Sequence, residues 1–177
     1  MFQLPIRTLD SEHSTGSSEI GQLPDWNLND LYTATDAKEL IRDLNWLEKE
    51  CNEFAKSYEG KLHTLSDKEM LTCIVRNEKI NSISGRIISY AGLLYYQKTT
   101  DADRAKFLSD MQEKITVFTT KLVFFSLEIN SLEGDFLDKL FTKNDQLARY
   151  KPVFEKIRAM KPYQLNDEIE KFLHDLG

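Results

Sequence analysis

"LSDKEMLTCIVRNEKINSISGRIISYAGLLYYQ", residues 65–97, decides the fold. Ser66 and Glu69 stand at capping-box spacing, where each side chain satisfies the other residue's backbone amide. From there Met70, Ile74, Ile80, Ile83, Ile87, Ala91 and Leu94 form an apolar stripe at helical spacing. The pattern reaches Gln97, which predicts a helix of about 30 residues, roughly 45 Å long. Beside the stripe lie Ser82, Gly85, Ser89 and Gly92. Each glycine inside a helix costs about 1 kcal/mol relative to alanine. Small residues at this spacing therefore predict a neighbouring backbone lying close against them.

The flanking segments supply partners. On the C-terminal side, "TTDAD" predicts the cap of a further helix over 101–130, with Phe107, Leu108, Met111, Ile115, Phe118, Leu122, Phe125 and Ile129 on one face. "KLVFFSLEI" within it has the apolar density of a buried strand, but the 3–4 spacing on both sides reads as helix. On the N-terminal side, Leu40, Leu44, Leu47, Cys51, Phe54 and Tyr58 mark a helix over 36–58, with Asp36 and Glu39 as cap and reciprocal partner and Gly60 as its stop. "LPDWNLNDLY" (23–32) reads as an extended strap across the helices, and polar residues 1–22 as a disordered tail. Beyond a break at Gly134, short helices are expected over 135–141 and from Tyr150, with Pro152 in a first turn, ending before Pro162. A last one starts near Asn166 and carries Ile169, Phe172, Leu173 and Leu176. The expected fold class is all-α: two long antiparallel helices packed with an N-terminal helix, plus short C-terminal ones.

Composition agrees. The chain has 177 residues, 41% hydrophobic and 29% charged, with 7 glycines and 4 prolines. That suits one helical domain with a real core. Net charge is −6, concentrated in residues 1–34, where Arg7 faces five acids. An acidic balance argues against a nucleic-acid or anionic-membrane partner. Cys51 and Cys73 form no CxxC pair and read as reduced thiols of a cytoplasmic protein. Neither a signal peptide nor an apolar run of membrane-spanning length is present in the sequence.

A search for chemistry yields no catalytic, cofactor-binding or metal-ligating residues. His13, His63 and His174 lack the HExxH spacing of a helical zinc site. A Cys51–His63 nucleophile pair is conceivable, but Cys51 lies on an apolar stripe, where cysteines are inert. No P-loop, GxGxxG or GxSxG occurs. Glu48/Glu50 and Glu168/Glu170 read as solvated helix faces. The basic stretch 143–161 reads as a helix packing Phe154 and Ile157 inward and showing its charges to water.

"LPDWNLNDLY", "FAKSYEGKL", "ISYAGLLYYQKTTD" and "ARYKPVFEKIRAMKPYQLNDEIEKFLHDLG" in this order resemble the N-terminal region of oligoendopeptidase F, over 23–177. These are zinc metallopeptidases related to thimet oligopeptidase. The most specific piece is "AMKPYQLNDEIEKFL", with Tyr163 where the family commonly has histidine. The resemblance implies a helical domain covering one side of a deep cleft that admits short peptides. The family's HExxH motif and its further glutamate ligand lie beyond the matched region, so no zinc ligand or general base carries over to this chain. The resulting expectation is a non-catalytic domain from a split or truncated gene, with a separate catalytic-domain chain as its partner and zinc only in the complete enzyme. The rival is a stand-alone helical interaction module, or a remnant without enzymatic role.

Overall fold

A computed structural model describes residues 26–163 and Ile169. Among them all regular structure is helical: α1 (Lys38–Tyr58), α2 (Asp67–Gln97), α3 (Ala102–Thr119), α4 (Val123–Ser131), α5 (Gly134–Lys143), α6 (Asp145–Ala148) and α7 (Lys151–Ala159). The all-α expectation holds. The proposed tail over 1–22 and the helix from Asn166, Ile169 apart, lie outside the described residues.

The long helix α2 runs 31 residues and opens with the capping box read from Ser66 and Glu69. Ser66 Oγ accepts the Glu69 amide at 3.3 Å, and Glu69 Oε2 accepts the Ser66 amide at 2.9 Å. Its buried face is Met70, Cys73, Ile74, Ile80, Ser84, Ile87, Tyr90 and Ala91, while Ile83 and Leu94 are half-buried at its edge. The small-residue row does not receive a close backbone. A Cβ built on Gly85 would meet nothing within 4 Å, and on Gly92 only the Tyr96 ring at 3.7 Å. Ser82, Gly85 and Ser89 face outward. The stripe and the row lie on different sides of the helix, and only the stripe is covered.

Helix α1 begins later than its sequence suggests. Its N-cap is Ala37, without a side-chain cap, so Asp36 does not play the capping role. It buries Leu40, Leu47, Cys51, Phe54 and Tyr58, and also Asp43. Gly60 follows with φ 76°, the left-handed conformation that suits glycine after a helix. The Glu128 carboxylate of α4 accepts the amides of Gly60 and Leu62 beyond the end of α1.

The helix expected over 101–130 runs over 102–131 with one 3-10 turn inside it. Asp101 caps α3, its carboxylate accepting the Asp103 and Arg104 amides. These amide bonds, the Arg104 amide foremost, hold its carboxyl below the usual carboxylate range. A 3-10 turn over Thr120–Leu122 then separates α3 from α4. Thr119 and Thr120 direct their hydroxyls to the carbonyls of Ile115 and Thr116 at 2.9 and 2.8 Å. Back-bonding of this kind weakens the helical ladder. The turn packs against α1, and Lys121 Nζ donates to Asn52 Oδ1 at 2.6 Å. From Ala102 to Ser131 the backbone stays helical through this turn. Further on, Gly134 begins α5 instead of breaking the pattern, and the break falls at extended Leu132 and Glu133. Helix α6, capped by Asn144, has no counterpart in the sequence expectation.

The segment before α1 is a turn more than an extended strap. The amides of Leu31 and Tyr32 both bond to the Leu28 carbonyl. Gln97 Nε2 at the end of α2 reaches the Trp26 carbonyl at 2.8 Å. Tyr32 is buried, its ring edge-on to Tyr90 at 5.4 Å. Its hydroxyl donates to Asp43 Oδ2 at 2.9 Å and accepts from Arg86 Nε at 3.0 Å, while Arg86 Nη2 also bonds Asp43. A buried carboxylate thus has its desolvation offset by a phenol and a guanidinium. Burial first, then the bond to Asp43, pushes the Tyr32 hydroxyl up to about 12.

Candidate functional site

"VFFSLEINS", the sequence of α4, carries apolar residues on several faces, with Ser126 exposed and Glu128 half-buried. A helix of that kind has to be covered on more than one face. Phe124 and Phe125 turn toward α1, their rings 6.0 and 5.7 Å from Phe54. α7 packs against α4 as well.

Helix α7 is built for that position. Pro152 sits in its first turn, where a missing amide costs nothing. Phe154 is buried edge-on to Phe141 at 5.3 Å, and Ile157 is half-buried against the core. Arg158 Nη1 donates to the Ile129 and Leu132 carbonyls at the C-terminal end of α4. A cation at those carbonyls satisfies orphan acceptors and complements the helix dipole. Tyr150 anchors the near end of α7, its hydroxyl donating to Glu78 Oε2 of α2 at 2.7 Å. That bond raises the tyrosine's pKa above its ordinary value. The basic stretch 143–161 therefore packs Phe154 and Ile157 inward as its pattern predicts, but Arg158 is a cap between helices and not a solvated charge.

Packing does not close the far side. Between α4 and α7 lies a groove of about 620 Å³ lined by Leu127, Asn130, Val153, Ile157, Met160 and Tyr163, with Ser126 and Lys156 completing its wall. Val153, Met160 and Tyr163 are 46%, 59% and 76% exposed. An apolar concavity with exposed large side chains marks a contact surface more often than a catalytic one. Among the described residues its lining has one cation, Lys156, and no carboxylate, histidine or thiol.

The residues weighed for chemistry from sequence are kept apart. Cys51 and Cys73 are fully buried and free. Burial pushes their thiols up to about 11 and about 12, away from the thiolate that reacts. His63 is exposed in the turn Leu62–Thr64, and no hydrogen bond joins it to Cys51. Glu50 is not a solvated acid: its Oε1 accepts Arg76 Nε at 2.6 Å, and that guanidinium lies over the Phe54 and Tyr58 rings. Among the described residues, no three His, Cys, Asp or Glu side chains are grouped to hold a metal ion. No single helix among them is long and apolar enough to cross a membrane. Sequence reasoning missed the groove. Its signal was the apolar residues on several faces of 123–129 followed by an amphipathic segment with Val153 and Met160 off the buried stripe.

Residues 128–177 match the family model described as oligopeptidase F, N-terminal part. No curated protein and no solved structure matches the chain. The matched residues take in the end of α4, all of α5, α6 and α7, and most of the groove's lining. The resemblance read over 23–177 is thus matched by a family model in its C-terminal part, over 128–177.

Proposed function

We propose that this chain is the non-catalytic helical domain of an oligoendopeptidase-F-like zinc metallopeptidase, and that it works by docking to the catalytic domain and covering one side of its cleft. The observation that carries this reading is the α4–α7 groove, apolar and open within the stretch that matches the family. Covering large apolar side chains such as Val153 and Met160 favours association by roughly 1.5–3 kcal/mol each when burial is complete. In this reading the chain contributes shape, and the zinc and the general base come from the catalytic domain. Short peptides are the substrates of the assembled enzyme only.

The test mixes the purified chain with the catalytic domain of an oligoendopeptidase F. The expected result is an equimolar complex on size-exclusion chromatography and faster cleavage of a quenched peptide, with V153D and M160D weakening both. The chain alone should give no turnover. Stoichiometric zinc after dialysis together with chelator-sensitive turnover by the chain alone overturns the proposal, as does the absence of any complex.

A further inference from the structure

A second concavity, of about 490 Å³, lies between α1 and α2 and shares no residue with the α4–α7 groove. Its walls carry Arg42, Asp43 and Trp46 from α1, and Lys79, Ser82 and Arg86 from α2. Three cations therefore face one carboxylate, in a chain whose net charge is −6. The carboxylate is fully engaged. Asp43 Oδ1 accepts Arg42 Nε and Nη2, both at 3.3 Å, and Oδ2 accepts the Tyr32 hydroxyl and Arg86 Nη2.

What remains is unused donor capacity. A guanidinium has five N–H donors. Arg42 places Nε and Nη2 on Asp43, and Arg86 places Nε on Tyr32 and Nη2 on Asp43. Both keep further donors for a ligand. Lys79 pairs with no carboxylate among the described residues, and its ammonium lies 4.8 Å from the centre of the Trp46 ring. Ser82 adds an exposed hydroxyl at the rim. Asp43 holds both arginines, so their forks are set in place before any ligand arrives. Glu39 and Glu78 are the nearby acids in sequence, but neither lines the concavity, and Glu78 is bonded to Tyr150.

We propose that this concavity is a binding site for a phosphate group, held by Arg42, Arg86 and Lys79 with Ser82 at its edge. A surplus of two positive charges matches the roughly −1.5 to −2 charge of a phosphate monoester near neutral pH. Guanidinium forks suit phosphate oxygens, and the charge-assisted bonds they form are about twice as strong as neutral ones. The volume exceeds what a bare phosphate fills and lies in the range of small-molecule sites. Phosphate free in solution and phosphate on a small organic molecule share this chemistry, so both are tested.

Trp46 reports on the site. In a Trp26→Phe background it is the single tryptophan of the chain. Titrations of inorganic phosphate and of phenyl phosphate, at ionic strength matched with sodium chloride, should each change Trp46 emission saturably. Tighter binding of phenyl phosphate assigns the site to a monoester, and equal binding assigns it to free phosphate. Lys79 and Arg42 are exposed, so K79A and R42A should fold normally and weaken binding roughly three- to tenfold each, by loss of one charge-assisted contact. A response no larger than that to sodium chloride overturns the proposal. So does unchanged affinity in K79A and R42A with native circular dichroism.

Discussion

Phe54 and Phe154 are both sealed, at 0% and 1% exposure, but the regions around them differ. Phe54 is ringed by Tyr58, Phe124 and Phe125, with the Arg76 guanidinium over its face and Glu50 holding that arginine. Phe154 meets Phe141 on one side, while the outer wall of the same helix exposes Val153 and Met160. Around Phe54, α1, α2 and α4 close their apolar surface with rings and with polar residues tied to one another. The α4–α7 region leaves a groove. One buried side chain does not report whether its neighbourhood is complete; the polar residues placed over the seams do. By that measure the surroundings of Phe54 are a finished core, and the α4–α7 groove leaves large apolar side chains exposed.

The largest expected effect tests the finished core. Phe54→Ala should cost about 3–5 kcal/mol in urea melts, because three neighbouring rings lose their common contact. Phe154→Ala should fall at the low end of that range; a larger loss there than at Phe54 breaks the comparison. Next, Ile87→Ala should cost about 2–4 kcal/mol, and Ile83→Ala, only half-buried, about 1 kcal/mol. Equal losses at the two positions would mean that the edge of the α1–α2 seam is as tightly packed as its centre.

Alkaline pH offers a milder probe. Cys51, Cys73 and Tyr32 have folded-state pKa values raised to about 11, about 12 and about 12 from ordinary values of 9.0, 9.0 and 10.0. Below pH 9 all three are protonated in both folded and unfolded chains, and their contribution to stability is fully present. Above it the unfolded chain ionises first, so stability falls as pH rises toward the folded values. Thermal melts from pH 8 to 11 should show a declining Tm, steeper than in the Cys51→Ala/Cys73→Ala variant. A flat profile would remove these groups from the finished core. The smallest effect belongs to the groove. Val153→Ser and Met160→Ser should each change stability by less than about 0.5 kcal/mol, since both side chains already face water. A larger loss would show that the groove wall is part of the core after all.

Features set by neighbours in sequence were legible. The Ser66–Glu69 box, the Asp101 cap, the stripe of α2 and the first-turn Pro152 each depend on residues within a few positions. Features set by distant partners were not. Asp43 reads as an ordinary surface acid, because Tyr32 and Arg86, which make its burial tolerable, lie 11 and 43 residues away. The 3-10 turn after Thr119 depends on its fit against α1, while the apolar periodicity runs through it undisturbed. Arg158 looks like a solvated charge until α4 places two carbonyls beside it. The groove is the extreme case, since it exists only where α4 and α7 fail to cover each other.

The Glu128 carboxylate has a consequence for the order in which the molecule assembles. Its bonds to the Gly60 and Leu62 amides span 68 and 66 residues of chain. Closing so long a loop forfeits entropy before any bond forms, while the capping box and the α2 ladder need only local encounters. Glu128 therefore joins late, after α1 and α2 have met. In refolding experiments Glu128→Ala should leave the rate of folding nearly unchanged and accelerate unfolding, the signature of a contact absent from the transition state. The end of α1 would then be the first place to loosen when the native protein opens, and the carboxylate from α4 is the catch that sets how long it stays shut.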